Sequence, residues 1–521
     1  MFPNLTAPLT LGETTVRNRA VVTAHVTNYG SHEHLATERT AAYLRERARG
    51  GAGMIVSESL AVHPSAGPNT FFLKLWDDSA IEPLRAVTEA VRGEGAVFVA
   101  QLNHGGREHN PAITRRPLVA PSPIASPKGG EIPHELTSAE IAELVESFSA
   151  AAGRAMRAGF DGVEVHAGHG YLLQQFLSPW SNQRSDDYGG SLDNRMRMLL
   201  EVLEAARQVV PRPALLGLRI SADEFAPDGL GVTDMQQITE RIVATGLIDY
   251  LSVSQGSYAD PRIFIPDASF GHAPFLHLTR AIRQASGTLP LVAVGSIVTP
   301  AEAEQVLTEG IADLVGMTRA HIADPHLMRK AGEGRPEDIR QCILCNQGCF
   351  NRLLKGIDIS CVQNPAVGFE REWPEFPVPD ALESRRVVVV GAGPGGLECA
   401  WVAAARGHRV TLLEAGSELG GSVRSMVAAE DLREWEHVIS WRERMLDQLG
   451  VEVRTECSAD AGIVLELGPD VVVLASGTGS HELAAQLSRQ PELIVHTIGD
   501  AAAPRDAFAA ITDGHRIGRE I

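Results

Sequence analysis

A chain of 521 residues is longer than one hydrophobic core serves, so two or three domains are expected. Its 46 Lys and Arg against 65 Asp and Glu leave a formal net charge of −19, which argues against a nucleic-acid surface, because such a surface needs clustered positive charge. No apolar run reaches the roughly 20 residues of a bilayer span, and residues 1–5 lack the basic and apolar regions of a signal peptide, so no membrane association and a cytoplasmic location with reduced thiols are expected.

From residue 20 to about 330, short β-branched runs alternate with longer amphipathic stretches. The runs lie at 19–23, 53–57, 97–101, 162–166, 216–220, 250–254, 291–295 and 313–316. Repeated βα units imply a parallel sheet, and eight of them fit a closed (β/α)8 barrel. His25, Glu58, Gln101, His166, Arg219 and Ser254 fall at the C-terminal ends of these runs, where such a barrel builds its active site. Strand ends that simply meet solvent would also be polar, but the recurrence of Gln, His and Arg at matched positions favours a site.

Residues 336–380 carry a cysteine cluster and then a Pro- and Glu-bearing stretch, 373–380, of linker composition. Cys342, Cys345, Cys349 and Cys361 are spaced C-x2-C-x3-C-x11-C, whereas Cys399 and Cys457 are scattered. Three thiolates so close in sequence converge only where the backbone wraps a metal. A four-thiolate zinc site is one reading, although zinc ribbons pair two knuckles; a compact triplet with one distant ligand favours a [4Fe–4S] cube.

A new domain opens at about residue 381. The valine run 387–390 leads into Gly391, Gly393 and Gly396, a strand, tight turn and helix start that lets backbone approach a pyrophosphate. A second strand, 409–414, ends in Glu414, which is placed to accept a hydrogen bond from a ribose hydroxyl. Residues 471–479 resemble the strand and ATG-like turn of two-dinucleotide flavoproteins, and Thr497 to Asp500 resemble their closing Gly-Asp. That resemblance implies FAD, or a remnant such as ADP, with Asp500 on the ribityl chain.

The segment 163–195 contains His166, His169, Tyr171, Trp180, Arg184, Tyr188, Gly190, Asn194 and Arg195 in a pattern that resembles the Old Yellow Enzyme superfamily. With the cysteines and the dinucleotide motif added, the likeness covers nearly the whole chain. It is closest to the iron–sulfur flavoenzyme branch of 2,4-dienoyl-CoA reductase, bile-acid enoate reductases and trimethylamine dehydrogenase. The resemblance implies an FMN-binding barrel over 1–335, a [4Fe–4S] segment over 336–380, and an FAD- or ADP-binding Rossmann-like domain over 381–521. His166 and His169 would bond a substrate carbonyl oxygen, and Tyr171 would protonate its α-carbon. Gln101 would read the flavin pyrimidine edge, Arg219 would sit near flavin N1 and O2, Ala24 beneath the ring, and Gly295, Gly316 and Arg319 at the FMN phosphate.

Two departures from those relatives stand out. No cysteine lies just after the first strand, at residues 23–27, so FMN would be non-covalent. Only Ser480 to Val495 separate the ATG-like strand from the closing Gly-Asp, too few for the NAD(P)H-binding insertion. The expected activity is reduction of an α,β-unsaturated carbonyl compound, with NADH or NADPH as reductant. The alternative is an amine or alcohol dehydrogenase that passes electrons to a carrier protein. Substrate selectivity is expected in loops 63–72 and 258–275, and a homo-oligomer is compatible with everything above.

Overall fold

The computed structural model describes residues 1–67, 70–374 and 377–521. Residues 68–69 of the loop 63–72, and 375–376 of the stretch 373–380, lie outside the described residues. The chain divides into two compact units: residues 1–321, 325–334 and 350–359 form the first, and 322–324, 335–349 and 360–521 the second. Among the described residues no helix is long and apolar enough to cross a membrane.

In the first unit eight parallel strands form a ring: β1 Ala20–Val22, β2 Met54–Ala61, β3 Val97–Asn103, β4 Gly162–Ala167, β5 Leu215–Ser221, β6 Tyr250–Ser254, β7 Leu291–Ala293 and β8 Leu314–Gly316. Each pairs with the next, and β8 pairs back onto β1, which closes the barrel. These are the eight strands expected from the sequence. β2 runs further than its apolar core, with a register shift against β3 between Val56 and Ser59. That irregularity falls at Glu58 and sets its side chain off the regular alternation.

Helices return the chain between strands, and local chemistry starts them. Ser138–Arg157, for example, begins at a capping box of Thr137 and Glu140 and buries Ile141, Leu144, Phe148, Ala151, Ala152 and Ala155 along one face. An antiparallel hairpin, Leu9–Leu11 with Thr14–Val16, precedes β1. Its Leu11 and Val16 join a buried cluster with Val21, Met54, Val97, Leu215, Tyr250, Val292 and Leu314, which lie toward the N-terminal ends of their strands. The hairpin therefore covers the end of the barrel opposite the strand C-termini.

The second unit is a parallel five-stranded sheet of β9 Arg386–Val390, β10 Arg409–Leu413, β11 Glu452–Arg454, β12 Val471–Leu474 and β13 Ile494–Thr497, in the order β11-β10-β9-β12-β13. Val387 and Val389 face one apolar cluster and Val388 and Val390 another, so β9 is buried on both faces and reads as an unbroken valine run. The helices used below are α1 Pro394–Ala405, α2 Glu436–Gln448 and α3 Ala507–Glu520. Between β12 and β13 lie a single turn at Gly477–Gly479 and one short helix, His481–Leu487.

Candidate active site and cofactor-binding residues

The end of β4 and the turn after it carry the reactive side chains. His166 lies opposite Arg219 of β5 in the ladder. His169 (φ 57°) and Gly170 (φ 75°) then adopt left-handed backbone, and Tyr171 becomes the N-cap of the short helix Leu172–Leu177. A left-handed histidine is unfavourable by itself. It is held because its N–H donates to Ser221 Oγ at 2.9 Å and the Gly170 N–H donates to Gln174 Oε1 at 2.8 Å. The turn brings the His166 ring within 5.0 Å of His169 and 5.2 Å of Tyr171, centroid to centroid.

Burial sets the protonation states. His166 is held well below its ordinary value by burial and by the Arg219 charge; His169 is lowered by burial, His166 and Arg219. Both imidazoles are neutral at neutral pH. Ser254 Oγ accepts from Arg219 at 3.3 Å and lies 2.8 Å from His169 Nε2, so its proton is available to that nitrogen. In the tautomer in which the Ser254 hydroxyl donates to Nε2, His169 carries its proton on Nδ1 and offers an N–H donor to a ligand. The Tyr171 phenol is pushed above 10 by burial, against a hydrogen bond from Tyr258 that works the other way.

Among the described residues, three buried polar atoms at these strand ends have no hydrogen-bond partner: Glu58 Oε1, Asn103 Oδ1 and His166 Nδ1. Buried polar groups are otherwise satisfied, so such a group of orphans at the open end of a barrel fits a polar ligand seated there. Gln101 is pinned, its amide donating to Glu164 Oε1 at 2.7 Å while the Tyr250 hydroxyl donates to Glu164 Oε2 at 3.0 Å. Its carbonyl oxygen is left to accept from a ligand. Ala24 lies two residues beyond β1, Gly316 ends β8, and Gly295 (φ 130°) lies two residues beyond β7. Arg319 donates to the Pro266 carbonyl at 2.7 Å and to Ser296 Oγ at 2.6 Å, which places its guanidinium beside the residue after Gly295.

Sequence reasoning missed two residues of this wall. The Tyr258 hydroxyl stands 3.1 Å from that of Tyr171, and Phe264 lies 5.3 Å from both the His169 and Tyr258 rings. The Lys128 ammonium sits 4.1 Å from the Tyr258 ring centroid. Both lie in the loop 258–275, where selectivity is expected, but nothing local in the sequence identifies which of its side chains point inward.

In the second unit the glycine turn is sterically required. A Cβ on Gly396 would stand 1.9 Å from the Gly391 carbonyl oxygen, and one on Gly391 (φ 100°) 2.7 Å from Ala475. Gly393 is the N-cap of α1. Glu414, expected to face a ribose, accepts from the Ala392 N–H at 2.7 Å and the Gly416 N–H at 2.8 Å, so its carboxylate lies against the turn and braces it. Asp500 is exposed in the turn Gly499–Ala501 and accepts from the Arg505 N–H at 3.0 Å.

Cys342, Cys345, Cys349 and Cys361 all belong to the second unit. Among the described residues no group of three or more His, Cys, Asp or Glu side chains is gathered to hold a metal ion. The four thiols nevertheless share one environment. Cys361 is pushed up to about 12 by burial and by Cys342 and Cys349. Cys345 is raised well above 9 by burial and by the other three. A single zinc holds its thiolates about 2.3 Å from one centre, whereas in a cube each thiolate stands on its own iron and the sulfurs are further apart. Amides of Gln363 and Asn364 face the Cys361 sulfur, and a Cβ on Gly348 would meet the Cys361 backbone at 2.7 Å. The donor set and this close approach fit a four-thiolate cluster.

Comparison with known proteins agrees with this geometry. Residues 4–338 match the model of the NADH:flavin oxidoreductase / NADH oxidase family, and residues 389–442 match an NAD(P)-binding Rossmann-like domain. The chain is 38% identical over 481 residues to an NADH oxidase of Thermoanaerobacter brockii, covering 92% of this chain and 73% of that protein. It is 37% identical over 486 residues to the N,N-dimethylglycine/sarcosine dehydrogenase of Chromohalobacter salexigens, covering 91% and 69% respectively. Among solved structures it superposes on a 2-naphthoyl-CoA reductase complex with a TM-score of 0.93 at 27% identity, covering 100% of both chains. The barrel with its β4 turn, joined to a Rossmann-like unit, thus makes the chain a flavin-dependent oxidoreductase of the NADH:flavin oxidoreductase / NADH oxidase family, within the iron–sulfur branch of the Old Yellow Enzyme superfamily.

Proposed function

We propose that the protein reduces the C=C bond of an α,β-unsaturated carbonyl compound. The observation that carries this reading is the placement of two neutral imidazoles and a protonated phenol around one buried space. FMN, when bound, supplies the two-electron chemistry that delivers hydride to the substrate β-carbon. Gln101, Arg219 and the backbone at Ala24 would hold its ring, with Gly295, Gly316 and Arg319 at its phosphate. His166 and His169 would donate to the carbonyl oxygen, where negative charge grows as the bond is reduced. Tyr171 would give its proton to the α-carbon and keeps that proton at neutral pH because burial raises it.

The reading also has Cys342, Cys345, Cys349 and Cys361 holding a [4Fe–4S] cluster, which serves as a one-electron relay. The Rossmann-like unit would bind FAD or ADP, and NADH or NADPH would supply electrons. Anaerobic stopped-flow with NADH or NADPH, followed by an enone, tests the assignment. Tyr171→Phe is expected to slow flavin reoxidation by the enone about 10²-fold or more, with the rate of flavin reduction unchanged. Unaltered reoxidation in Tyr171→Phe and in the His166→Ala/His169→Ala double variant would sink it.

A second reading, oxidation of an amine with electrons passed through the cluster to a carrier protein, is favoured by the aromatic wall of Tyr171, Tyr258 and Phe264. Such a wall suits a cationic substrate, and one relative is named a dimethylglycine/sarcosine dehydrogenase. Flavin reduction by a secondary or tertiary methylamine, together with inertness to both nicotinamides, would decide for it.

A further inference from the structure

The Rossmann-like unit lies within the cysteine site by its packing, not only by its sequence neighbourhood. Ile343, between Cys342 and Cys345, and Val362, directly after Cys361, are both buried in the apolar cluster that contains Val387 and Val389 of β9, Leu397 of α1 and Val438 of α2. The backbone carrying the first and last cysteines is therefore laid down on the core of the dinucleotide-type fold.

One fully buried side chain ties these pieces together. Arg442 of α2 donates from Nη1 to Gln363 Oε1 at 2.9 Å and from Nη2 to the Gln363 carbonyl at 3.2 Å. Gln363 in turn donates from Nε2 to the Gln341 carbonyl at 3.1 Å, one residue before Cys342. Gln363 is thus a strut between the Cys342 and Cys361 loops, and Arg442 locks both its side chain and its backbone. The Arg442 Nε donates to Glu398 Oε2 of α1 at 2.8 Å, and His515 of α3 lies 2.8 Å from Glu398 Oε1 by its Nδ1. The Arg519 Nε–H donates to His515 Nε2 at 2.8 Å, so the imidazole carries its proton on Nδ1 and donates it to Glu398. Burial works to raise Glu398, but Arg442, His515 and Arg340 outweigh it and hold the carboxyl down at about 2. A second guanidinium, Arg340, stacks 4.0 Å from the Trp441 ring centroid and 5.1 Å from that of Trp401. Two buried guanidiniums, Arg442 and Arg340, thus act on one carboxylate, Glu398.

We infer that Arg442 is a positioning residue for the four-thiolate site: through Gln363 it sets the Cys342 and Cys361 loops at ligand spacing and places positive charge beside Cys361. The inference rests on the reading of these cysteines as cluster ligands. It assigns the Rossmann-like unit a role independent of nicotinamide binding, namely to build and electrostatically tune the metal site.

The test uses full-length protein purified anaerobically. Arg442→Met and Gln363→Leu are compared with wild type for iron, acid-labile sulfide, zinc and FMN per chain, for iron release to a chelator, and for cluster midpoint potential by redox titration with electron paramagnetic resonance. Both variants should lose iron to the chelator faster at unchanged FMN content, on the scale of the roughly 10- to 100-fold affinity losses typical of groups that orient metal ligands. Arg442→Met should also shift the potential to more negative values, because a buried positive charge that favours the added electron is gone. Arg442→Lys keeps the charge but cannot grip Gln363 twice, so its iron retention should fall with little change in potential. Gln363→Leu leaves the Glu398 pair intact and serves if Arg442→Met does not fold. Wild-type iron release and potential in both Gln363→Leu and the Arg442 variants would overturn the inference alone. Wild-type protein that carries zinc, or no metal, would overturn the cluster reading beneath it.

Discussion

Glu58 shows how far burial shifts the titration of one side chain. One carboxylate oxygen accepts from the Thr27 N–H at 2.6 Å and the Thr27 hydroxyl at 3.0 Å, while the other is buried without a partner. Burial outweighs those bonds and pushes the group up to about 7, against 4.5 for a free glutamate. Between those two values the unfolded chain sheds its proton while the folded chain keeps it, so folding stability is lost as pH rises from 4.5 to 7 and is constant above. Glu58→Gln should therefore melt higher than wild type at pH 8, by an amount on the order of 3 kcal/mol at most, and match it near pH 4. Calorimetry at the two pH values checks this, and a variant that melts lower at pH 8 would contradict it. Tyr171 gives a second pH signature. Because its phenol is raised above 10 and both histidines are lowered, these three groups should add no limb between pH 6 and 10 to reoxidation of the reduced enzyme by an enone; Glu58, raised to about 7, is the group that can. A limb near pH 6.5 that persists in Glu58→Gln would show that an imidazole changes charge in the step.

At the scale of elements, β9 and the start of α1 are a single device. Gly396 has no room for a side chain, since its Cβ would lie 1.9 Å from the Gly391 carbonyl oxygen. Gly396→Ala should push α1 away from the turn at a cost of about 1–3 kcal/mol and release the nucleotide of the second unit while FMN stays bound. Cofactor extraction distinguishes this from general unfolding. Such elements were legible in the sequence because the signal is local: β-branched runs for the eight barrel strands, and glycines at a strand end for the turn. Tyr258, Phe264, Gln363 and Arg442 were not legible. Each acts on a residue distant in sequence, Tyr258 on Tyr171 and Arg442 on Gln363, and their own neighbourhoods carry no periodicity or motif that marks them. Glu414 shows the intermediate case, in which the motif points to an acid at the strand end but not to the backbone amides that it meets.

For the whole molecule, anaerobically purified chain should contain about one FMN and about four irons with matching sulfide, and no stoichiometric zinc. Elemental analysis with flavin extraction reads all of these at once, and one zinc in place of iron would return the cysteines to the alternative left open by their spacing. The path of the chain bears on how such a protein can change. It passes between the two units five times between residues 321 and 360, and the stretch 350–359, bracketed by Cys349 and Cys361, belongs to the barrel unit. Ile359 donates to the Thr27 carbonyl there at 3.0 Å and accepts from the Tyr29 hydroxyl at 2.9 Å. A cut of the chain near residue 335 would therefore deprive the barrel unit of the stretch 350–359. The link between β12 and β13 is different: it is a surface connection between neighbouring strands that interrupts neither unit, and whole segments can be gained or shed there in a single event.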